Sequence, residues 1–338
     1  MLLGVSVLLV LVGIELALTL FYPTQYMKAP DHTSDGFFKA VLHQRSAVPG
    51  LSFELAPNRR KRLKGIRIRT NSLGMRDVEP LPIESEAVSR IVILGDSYTF
   101  GSGVDGDSTY PTVLEKQLND GLRERPFEVL NLGVSGYNTQ DEAVVLEHKG
   151  LLWRPDLIVL SYVLNDPETD PIQPLNHHFH EFAVWQRTNL GRLAAQGLRD
   201  FRVALWGAGD YYQYLHAKDH KKWNGVLAAL EDIRQLTESQ QIPVLVVIFP
   251  RTPDHPWRSY PYSEIHEQIA RASRDQGFAV IDLLDRFTEY PPKTMRVRRG
   301  DPHPSSWGHK IAADAIHEWI ASELPNAELS IPHLATSL

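Results

Sequence analysis

The sequence predicts an α/β fold in which a parallel sheet lies between two layers of helices, a three-layer α/β/α sandwich, with a transmembrane helix at its N-terminus. Apolar runs of strand length alternate with segments of helical periodicity over residues 90–323. Strict alternation of this kind is typical of parallel sheets that are covered on both faces. Residues 2–21 are almost uninterrupted apolar sequence. We therefore expect one α/β domain behind an N-terminal anchor.

The N-terminal apolar segment is long enough to cross a bilayer, because about 20 helical residues span about 30 Å. Its one ionisable side chain is Glu15, and inserting a central charge costs on the order of 3 kcal/mol, less than the surrounding apolar residues return. No basic n-region or small-residue cleavage site favours a removed signal peptide. We predict an uncleaved anchor over 1–22. Charge does not orient it, since only Lys28 lies near the span.

Residues 23–89 are predicted to form a tether and a short pre-domain segment that packs on the main domain. Residues 65–70 alternate as a strand does, and 71–74 have the composition of a turn. The basic run at 59–64 is interpreted as a solvated loop.

The main domain is predicted over 90–323, and 324–338 as a flexible tail. Within the domain, a capping-box pattern at 139–142 indicates the start of a helix. The predicted strands are 91–94, 127–130, 157–162, 242–249 and 278–281; further helices are predicted at 223–240, at 263–276 and from 305 onward.

Composition excludes several classes of protein. The 338 residues carry a formal net charge of −6, which argues against a nucleic-acid binder. There is no cysteine, so no disulfide framework exists, and an oxidising compartment is allowed but not required. A phosphate-binding loop at Gly95 is excluded because no Gly-Lys-Ser/Thr follows it. We predict no cofactor, and nothing in the sequence specifies a protein partner.

Ser97 is the first candidate for chemistry. It follows the strand 91–94 and Gly95-Asp96, where the chain must turn toward a helix. The first N–H groups of a helix have no partner within it, so a serine placed there has donors nearby for an oxyanion. The alternative reading is a tight βα turn in which the serine only caps the helix.

Four separated segments then carry a resemblance. Gly95-Asp96-Ser97 resembles block I of the SGNH hydrolases, also called GDSL esterases and lipases. The segments 131–136, 163–166 and 301–304 resemble that family's blocks II, III and V, in the family's order. The resemblance covers roughly residues 90–320, and it implies the flavodoxin-like fold of that family with a parallel sheet of five strands.

The resemblance and the chemistry assign the same roles. Ser97 would attack an ester carbonyl, His303 would take its proton and Asp301 would hold the imidazole. The oxyanion would accept from the backbone N–H groups of Ser97 and Gly136 and from the Asn165 amide. All of these except the 301–303 pair follow predicted strands, whose carboxyl ends share one edge of a parallel sheet.

The acid and the base depart from the family's spacing. The family usually places two residues between them, whereas only Pro302 separates Asp301 from His303, and Gly300 stands at the usual acid position. A shorter spacing is found in the related alginate O-acetyltransferase branch. If Asp301 bonds backbone instead, a carbonyl would orient His303. His309 is the rival base, and we interpret it as structural.

Residues 167–222 interrupt the alternation and are predicted to form a helical cap over an acyl or sugar pocket. The cap contains His177, His178 and His180, but no carboxylate or cysteine stands at a convincing ligand spacing, so we predict no metal site.

These observations predict a membrane-anchored serine esterase that removes small acyl groups, acetyl above all, from a carbohydrate or cell-envelope polymer. Its partners would be the ester substrate and, through the N-terminal helix, the membrane. By resemblance, the catalytic domain would lie outside the cytoplasm, in the periplasm. Two alternatives are an O-acyltransferase that passes the same acyl group to a sugar, and a noncatalytic scaffold for polysaccharide assembly.

Overall fold

A computed structural model describes residues 2–21, 42–63, 65–85, 88–120, 126–169 and 188–323. The strands are β1 (His43–Arg45), β2 (Phe53–Leu55), β3 (Arg60–Leu63), β4 (Ile66–Arg69), β5 (Ser89–Leu94), β6 (Phe127–Asn131), β7 (Leu157–Tyr162), β8 (Val244–Ile248), β9 (Ala279–Asp282), β10 (Arg296–Arg298) and β11 (Asp301–Pro304). The helices are α1 (Leu2–Phe21), α2 (Ser97–Phe100), α3 (Tyr110–Leu118), α4 (Thr139–Val145), α5 (Asn189–Leu205), α6 (Tyr211–Leu215), α7 (Lys221–Glu238), α8 (Ser263–Asp275), α9 (Leu284–Thr288), α10 (Pro292–Met295) and α11 (Ser306–Glu323).

The central sheet has five strands in the order β6-β5-β7-β8-β9, and every neighbouring pair is parallel. This confirms the predicted parallel sheet. The chain runs from β5 to β6 on one side and then returns to β7 on the other side of β5. In sheets of this order, ligands bind at the carboxyl ends of the strands where the winding reverses. Here that place lies between the ends of β5 and β7.

Two apolar layers cover the sheet. On one face, side chains of β5 and β7 such as Val92 and Ile158 pack with α4, α7 and α8. On the opposite face, their neighbours Ile91 and Val159 pack with α3 and α11. Because successive strand residues point to opposite faces, a strand buried on both sides is a nearly continuous apolar run. The three-layer arrangement follows from that composition.

The segment before the sheet packs into the same core. Leu42, Phe53 and Leu55 of the β1–β2 hairpin join the layer that contains Val92. The Arg76 side chain is 3% exposed, and its guanidinium donates to the carbonyls of Phe100 and Gly101 at 2.7 and 2.6 Å and to that of Val104 at 2.6 Å. This arginine ties the segment to the turn that follows α2.

The interpretation of residues 59–64 as a loop was wrong. Residues 60–63 form β3, which pairs antiparallel with β4. The side chains from Arg60 to Arg62 are exposed, as the interpretation required. A strand of basic residues lacks the apolar pattern that indicates a strand, because its side chains contribute little to an apolar core. Its sequence therefore resembles that of a loop.

The helix predicted to begin with Thr139 as its cap is capped by Asn138. The Asn138 side chain accepts from the backbone N–H groups of Gln140 and Asp141, and the Asp141 carboxylate accepts from the Asn138 N–H. The capping box therefore exists one residue earlier than predicted, since asparagine caps at least as well as threonine.

The N-terminal segment forms α1, and the Glu15 carboxylate accepts a hydrogen bond of 2.8 Å from the backbone N–H of Leu190 in the first turn of α5. Among the residues that the structure describes, no helix has the length and apolar character needed to span a bilayer. The transmembrane anchor over 1–22 stays a prediction.

The predicted cap is described only in part. Residues 188–222 contain α5, α6 and the beginning of α7, so this portion is helical as predicted. The histidines at 177, 178 and 180 lie outside the described residues, as does the predicted tail.

Candidate active site

Ser97 is the first residue of α2, directly beyond the end of β5. Asp96 caps this short helix through its Oδ1 atom, which accepts from the Tyr98 N–H at 2.8 Å. Gly101 ends the helix with a φ of 82°, a conformation that costs a glycine little. The caps fix the turn on both sides of a serine that is 9% exposed.

The structure brings Ser97, His303 and Asp301 into one hydrogen-bonded chain. His303 Nε2 lies 2.9 Å from Ser97 Oγ, and His303 Nδ1 lies 2.6 Å from Asp301 Oδ1. The Tyr98 ring packs against the imidazole with a centroid separation of 5.3 Å, and its hydroxyl donates to the Pro302 carbonyl at 3.1 Å. The serine therefore has a base within reach, and the base has a carboxylate behind it.

The short spacing between Asp301 and His303 is explained by β11. Residues i and i+2 of an extended strand project to the same side, so one intervening residue suffices to bring a carboxylate beside an imidazole. Partial burial opposes ionisation of Asp301, but the hydrogen bond and charge of His303, with Arg298 nearby, hold the pKa of this carboxyl below its ordinary value. Asp301 is thus a charged partner of His303.

The predicted oxyanion donors lie on the two neighbouring turns. Asn165 follows β7, and its Nδ2 donates to Asp96 Oδ2 at 3.3 Å. Gly136 follows β6 with a φ of 99°, and its loop runs beside the nucleophile's turn because the Val134 N–H donates to the Gly95 carbonyl at 3.0 Å. These donors share the carboxyl edge of the sheet with Ser97, as predicted.

Sequence reasoning assigned no role to Asp96, which connects two of these residues. Its Oδ2 accepts from Ser97 Oγ at 3.1 Å as well as from Asn165 Nδ2. The serine hydroxyl thus lies between two acceptors, the Asp96 carboxylate and the imidazole. The one sequence signal for a role of Asp96 was its position directly before a helix, where aspartate is a preferred N-cap residue.

Two further carboxyl groups are buried behind these turns. Glu142 and Asp166 are each 1% exposed. Neither Glu142 oxygen has a hydrogen-bond partner, nor does Asp166 Oδ1, while Asp166 Oδ2 accepts from Thr139 at 3.2 Å. Burial, followed by the charges of neighbouring carboxylates including Asp96, raises the pKa of both groups well above its ordinary value.

His309 lies apart from the site. Its side chain is fully buried and stacked on Tyr110, and its Nδ1 accepts from the Tyr110 N–H at 3.2 Å. Burial lowers its pKa to about 3, so it is neutral. This surrounding agrees with the structural interpretation of His309. Among the described residues, no three His, Cys, Asp or Glu side chains are placed to hold a metal ion.

The family model for the GDSL-like lipase/acylhydrolase family matches residues 93–311, which is well over half of the chain. The chain belongs to the GDSL-like lipase/acylhydrolase family. Its class of activity is that of a carboxylic ester hydrolase. No curated protein is similar enough in sequence to match.

The solved structures that match this chain are distant in sequence. A lipase/acylhydrolase from Enterococcus faecalis is 18% identical, with a TM-score of 0.43, over 70% of this chain and 96% of that one. An acetylxylan esterase from Geobacillus stearothermophilus is 16% identical, with a TM-score of 0.43, over 69% of this chain and 94% of that one.

Proposed function

We propose that Ser97, His303 and Asp301 catalyse ester hydrolysis through an acyl-enzyme. The observation that carries this proposal is the chain of contacts from Ser97 Oγ to His303 Nε2 at 2.9 Å and from His303 Nδ1 to Asp301 Oδ1 at 2.6 Å. His303 takes the Ser97 proton as Oγ bonds to the ester carbonyl carbon. It then returns the proton to the leaving alkoxide when the C–O bond breaks. A water molecule then attacks the acyl carbon while His303 takes its proton, and return of that proton to Ser97 Oγ releases the carboxylic acid.

Transition-state charge would be held by three donors: the backbone N–H groups of Ser97 and Gly136 and the Asn165 side-chain amide. Removing one such donor costs roughly 3–4 kcal/mol of transition-state stabilisation. In the free protein Asn165 donates to Asp96. The Asn165 amide must therefore leave the Asp96 carboxyl group and donate to the oxyanion when substrate is bound.

The substrate is proposed to be a small acyl ester, acetyl above all, of a carbohydrate or cell-envelope polymer. A small acyl group suits a nucleophile that is only 9% exposed. We propose that the alcohol part of the ester lies against Tyr212, Tyr260 and Tyr262, which pack edge to face at 5.4–5.5 Å, and against Arg251, whose Nε donates to the Tyr212 hydroxyl at 3.1 Å. Aromatic walls with a few convergent polar groups are typical of pockets for organic ligands.

The proposed location is extracytoplasmic and membrane-associated: membrane association rests on the apolar composition of residues 2–21, and the extracytoplasmic side rests on the resemblance to the family. Cell fractionation separates this proposal from a location in the cytoplasm: the protein should sediment with membranes and be accessible to protease from the outer side.

The test of the reaction is hydrolysis of p-nitrophenyl acetate by the purified protein and by Ser97→Ala. We expect the variant to lose essentially all turnover, because no other hydroxyl contacts His303 Nε2 among the described residues. Ser102→Ala is the matched control: the Ser102 side chain makes no hydrogen bond to the described part of the chain and lies on the next turn, so its removal should leave turnover unchanged. A Ser97→Ala variant as active as the wild type would refute the proposed nucleophile.

The same assay separates the hydrolase from the two alternatives. With an acetylated oligosaccharide donor and a sugar acceptor present, a hydrolase releases acetate, whereas a transferase yields acetylated acceptor. A folded wild-type protein that gives neither product would favour the noncatalytic scaffold.

A further inference from the structure

The β3–β4 hairpin presents four arginines on one side. Arg60 lies opposite Arg69 and Arg62 lies opposite Arg67 in the antiparallel register, and all four are exposed. Directly opposite residues have Cβ atoms about 5 Å apart, and next-but-one residues on a strand are separated by about 6.7 Å. The four arginines, which we call the arginine ladder, therefore form a compact grid of positive charge.

The ladder has few counter-charges of its own. Within the described ranges of the chain, Arg67 has the one carboxylate within ion-pair distance: its Nε lies 4.0 Å from Asp105 Oδ1, and both side chains are substantially exposed. Arg62 donates only to the Gly65 carbonyl, at 3.3 Å. The Arg60 and Arg69 side chains make no hydrogen bond or ion pair there. On a chain of net charge −6, this is a local concentration of unneutralised positive charge.

Like charges placed directly opposite on paired strands are destabilising. Two such pairs in a hairpin of four-residue strands oppose its formation, and packing of the buried Ile68 and the partly buried Ile66 into the core offsets that repulsion. An arrangement that opposes its own folding is expected where an external partner supplies the missing negative charge.

A pocket lies at one end of the ladder. It has a volume of about 300 Å³, and its lining includes Arg60, Arg69, Asn71, Asp77 and Glu79. Glu79 is exposed and accepts from the N–H and hydroxyl of Ser72, and the partly buried Asp77 accepts from backbone N–H groups, so both acids already have donors within the chain. The two arginines remain to bind an acidic group of the size of one sugar unit.

The ladder is connected to the catalytic pair through one loop. The Arg67 N–H donates to Asp105 Oδ1 at 2.8 Å. This loop lies against β10, since a Cβ placed on Gly103 would come within 2.5 Å of Val297 Cγ2. Strand β10 pairs with β11, which carries Asp301 and His303. The hairpin, this loop and the β10–β11 pair that carries Asp301 and His303 are therefore contiguous.

We propose that the arginine ladder is a docking surface for an acidic polysaccharide, whose carboxylate-bearing sugars bind Arg60, Arg62, Arg67 and Arg69 while an ester farther along the chain reaches Ser97. The identification of the docked chain as the substrate rests on the proposed esterase function, but docking does not. A narrow strip of paired arginines, beside the loop that contains Gly103 and Asp105, matches a linear polyanion better than a broad lipid surface.

The test is binding of polygalacturonate to the full chain, measured by titration calorimetry at low and moderate salt, with dextran as the neutral glycan. Arg60→Gln/Arg69→Gln should bind roughly tenfold more weakly and with a shallower salt dependence, because two guanidinium–carboxylate contacts are removed. Arg271→Gln/Arg274→Gln is the matched control. It removes two exposed charges from α8 and should bind as the wild type does.

Thermal unfolding checks that the ladder variant is folded. Its melting temperature should equal or exceed that of the wild type, since the substitution relieves the Arg60–Arg69 repulsion. Equal affinity of the two double variants would overturn the proposal. So would binding to phosphatidylglycerol vesicles without binding to polygalacturonate, which would assign the ladder to lipid headgroups.

Ser97→Ala separates docking from catalysis, because it should bind polygalacturonate as the wild type does. Full esterase turnover by Ser97→Ala would refute the proposed function and leave the docking result standing. Loss of docking in the ladder variant with wild-type binding by Ser97→Ala supports the proposal.

Discussion

Asp301→Asn tests whether the carboxylate two residues before His303 is part of the catalytic machinery. The amide preserves the volume but removes the charge at a Nδ1–Oδ1 contact of 2.6 Å, a distance typical of a charge-assisted hydrogen bond. If the amide presents its NH₂ group to Nδ1, the imidazole adopts the other tautomer, and Nε2 then carries a proton toward the serine instead of accepting one.

The magnitude follows from the surroundings of the pair. A carboxylate in this role contributes up to about 10⁴ in kcat, which corresponds to about 5 kcal/mol. Asp301 is 21% exposed and its second oxygen lies 3.4 Å from Arg298, so solvent and this arginine already weaken its influence on the imidazole. We therefore expect a loss of about 10³ in kcat, or about 4 kcal/mol, with KM changed by less than about threefold.

The assay is p-nitrophenyl acetate hydrolysis, with Ser97→Ala as the baseline and Arg298→Gln as the control for loss of the Arg298 contact. Arg298→Gln should lower kcat by less than about tenfold, because its ion pair with Asp301 is exposed. If Asp301→Asn keeps kcat within threefold of the wild type, Asp301 does not orient the base, and a backbone carbonyl must do so.

Two predictions concern stability. Arg76→Met leaves three carbonyls in a buried turn without their donor. An unsatisfied buried carbonyl costs about 1–3 kcal/mol, and the turn can relax in part, so we expect the free energy of unfolding to fall by about 3–5 kcal/mol and the melting temperature by roughly 10 °C. Arg274→Met should change neither quantity. Glu142 has a raised pKa in the folded state, so the folded protein binds its proton more tightly than the unfolded chain, and stability decreases as pH rises above about 4.5. Glu142→Gln should flatten that decrease in urea unfolding between pH 5 and pH 8, while the exposed Glu147→Gln should not. An unchanged slope would show that Glu142 is not held protonated.

The strands of the sheet could be predicted because both of their faces are buried. A segment such as Leu157–Tyr162 is then apolar except for the buried Ser161, and its bounds in the structure are those predicted. The basic strand β3 could not be recognised, since its exposed charges follow no apolar pattern. The same limit applies to the helix cap, where Asn138 and Thr139 are both good caps and only the backbone conformation decides between them.

In the site, the sequence located the residues but not their contacts. Ser97, Asn165 and Gly136 follow predicted strands, so their common edge was predictable from topology alone. The spacing of Asp301 and His303 is one residue shorter than the family's usual spacing, and β11 compensates by placing both side chains on one side of the strand. The role of Asp96 depends on distances to Ser97 and Asn165 that no spacing reveals.

The hydrogen bonds from Arg76 to the turn after α2 determine how far the chain can be shortened from its N-terminus. The family match begins at residue 93, yet a side chain 17 residues earlier supplies the donors for the carbonyls directly behind the nucleophile. A fragment limited to the matched region would keep Ser97, His303 and Asp301 but would lose Arg76, whose hydrogen bonds hold the turn that follows the Ser97 helix. The functional module is therefore longer than the family signature, and its N-terminal boundary lies before β1.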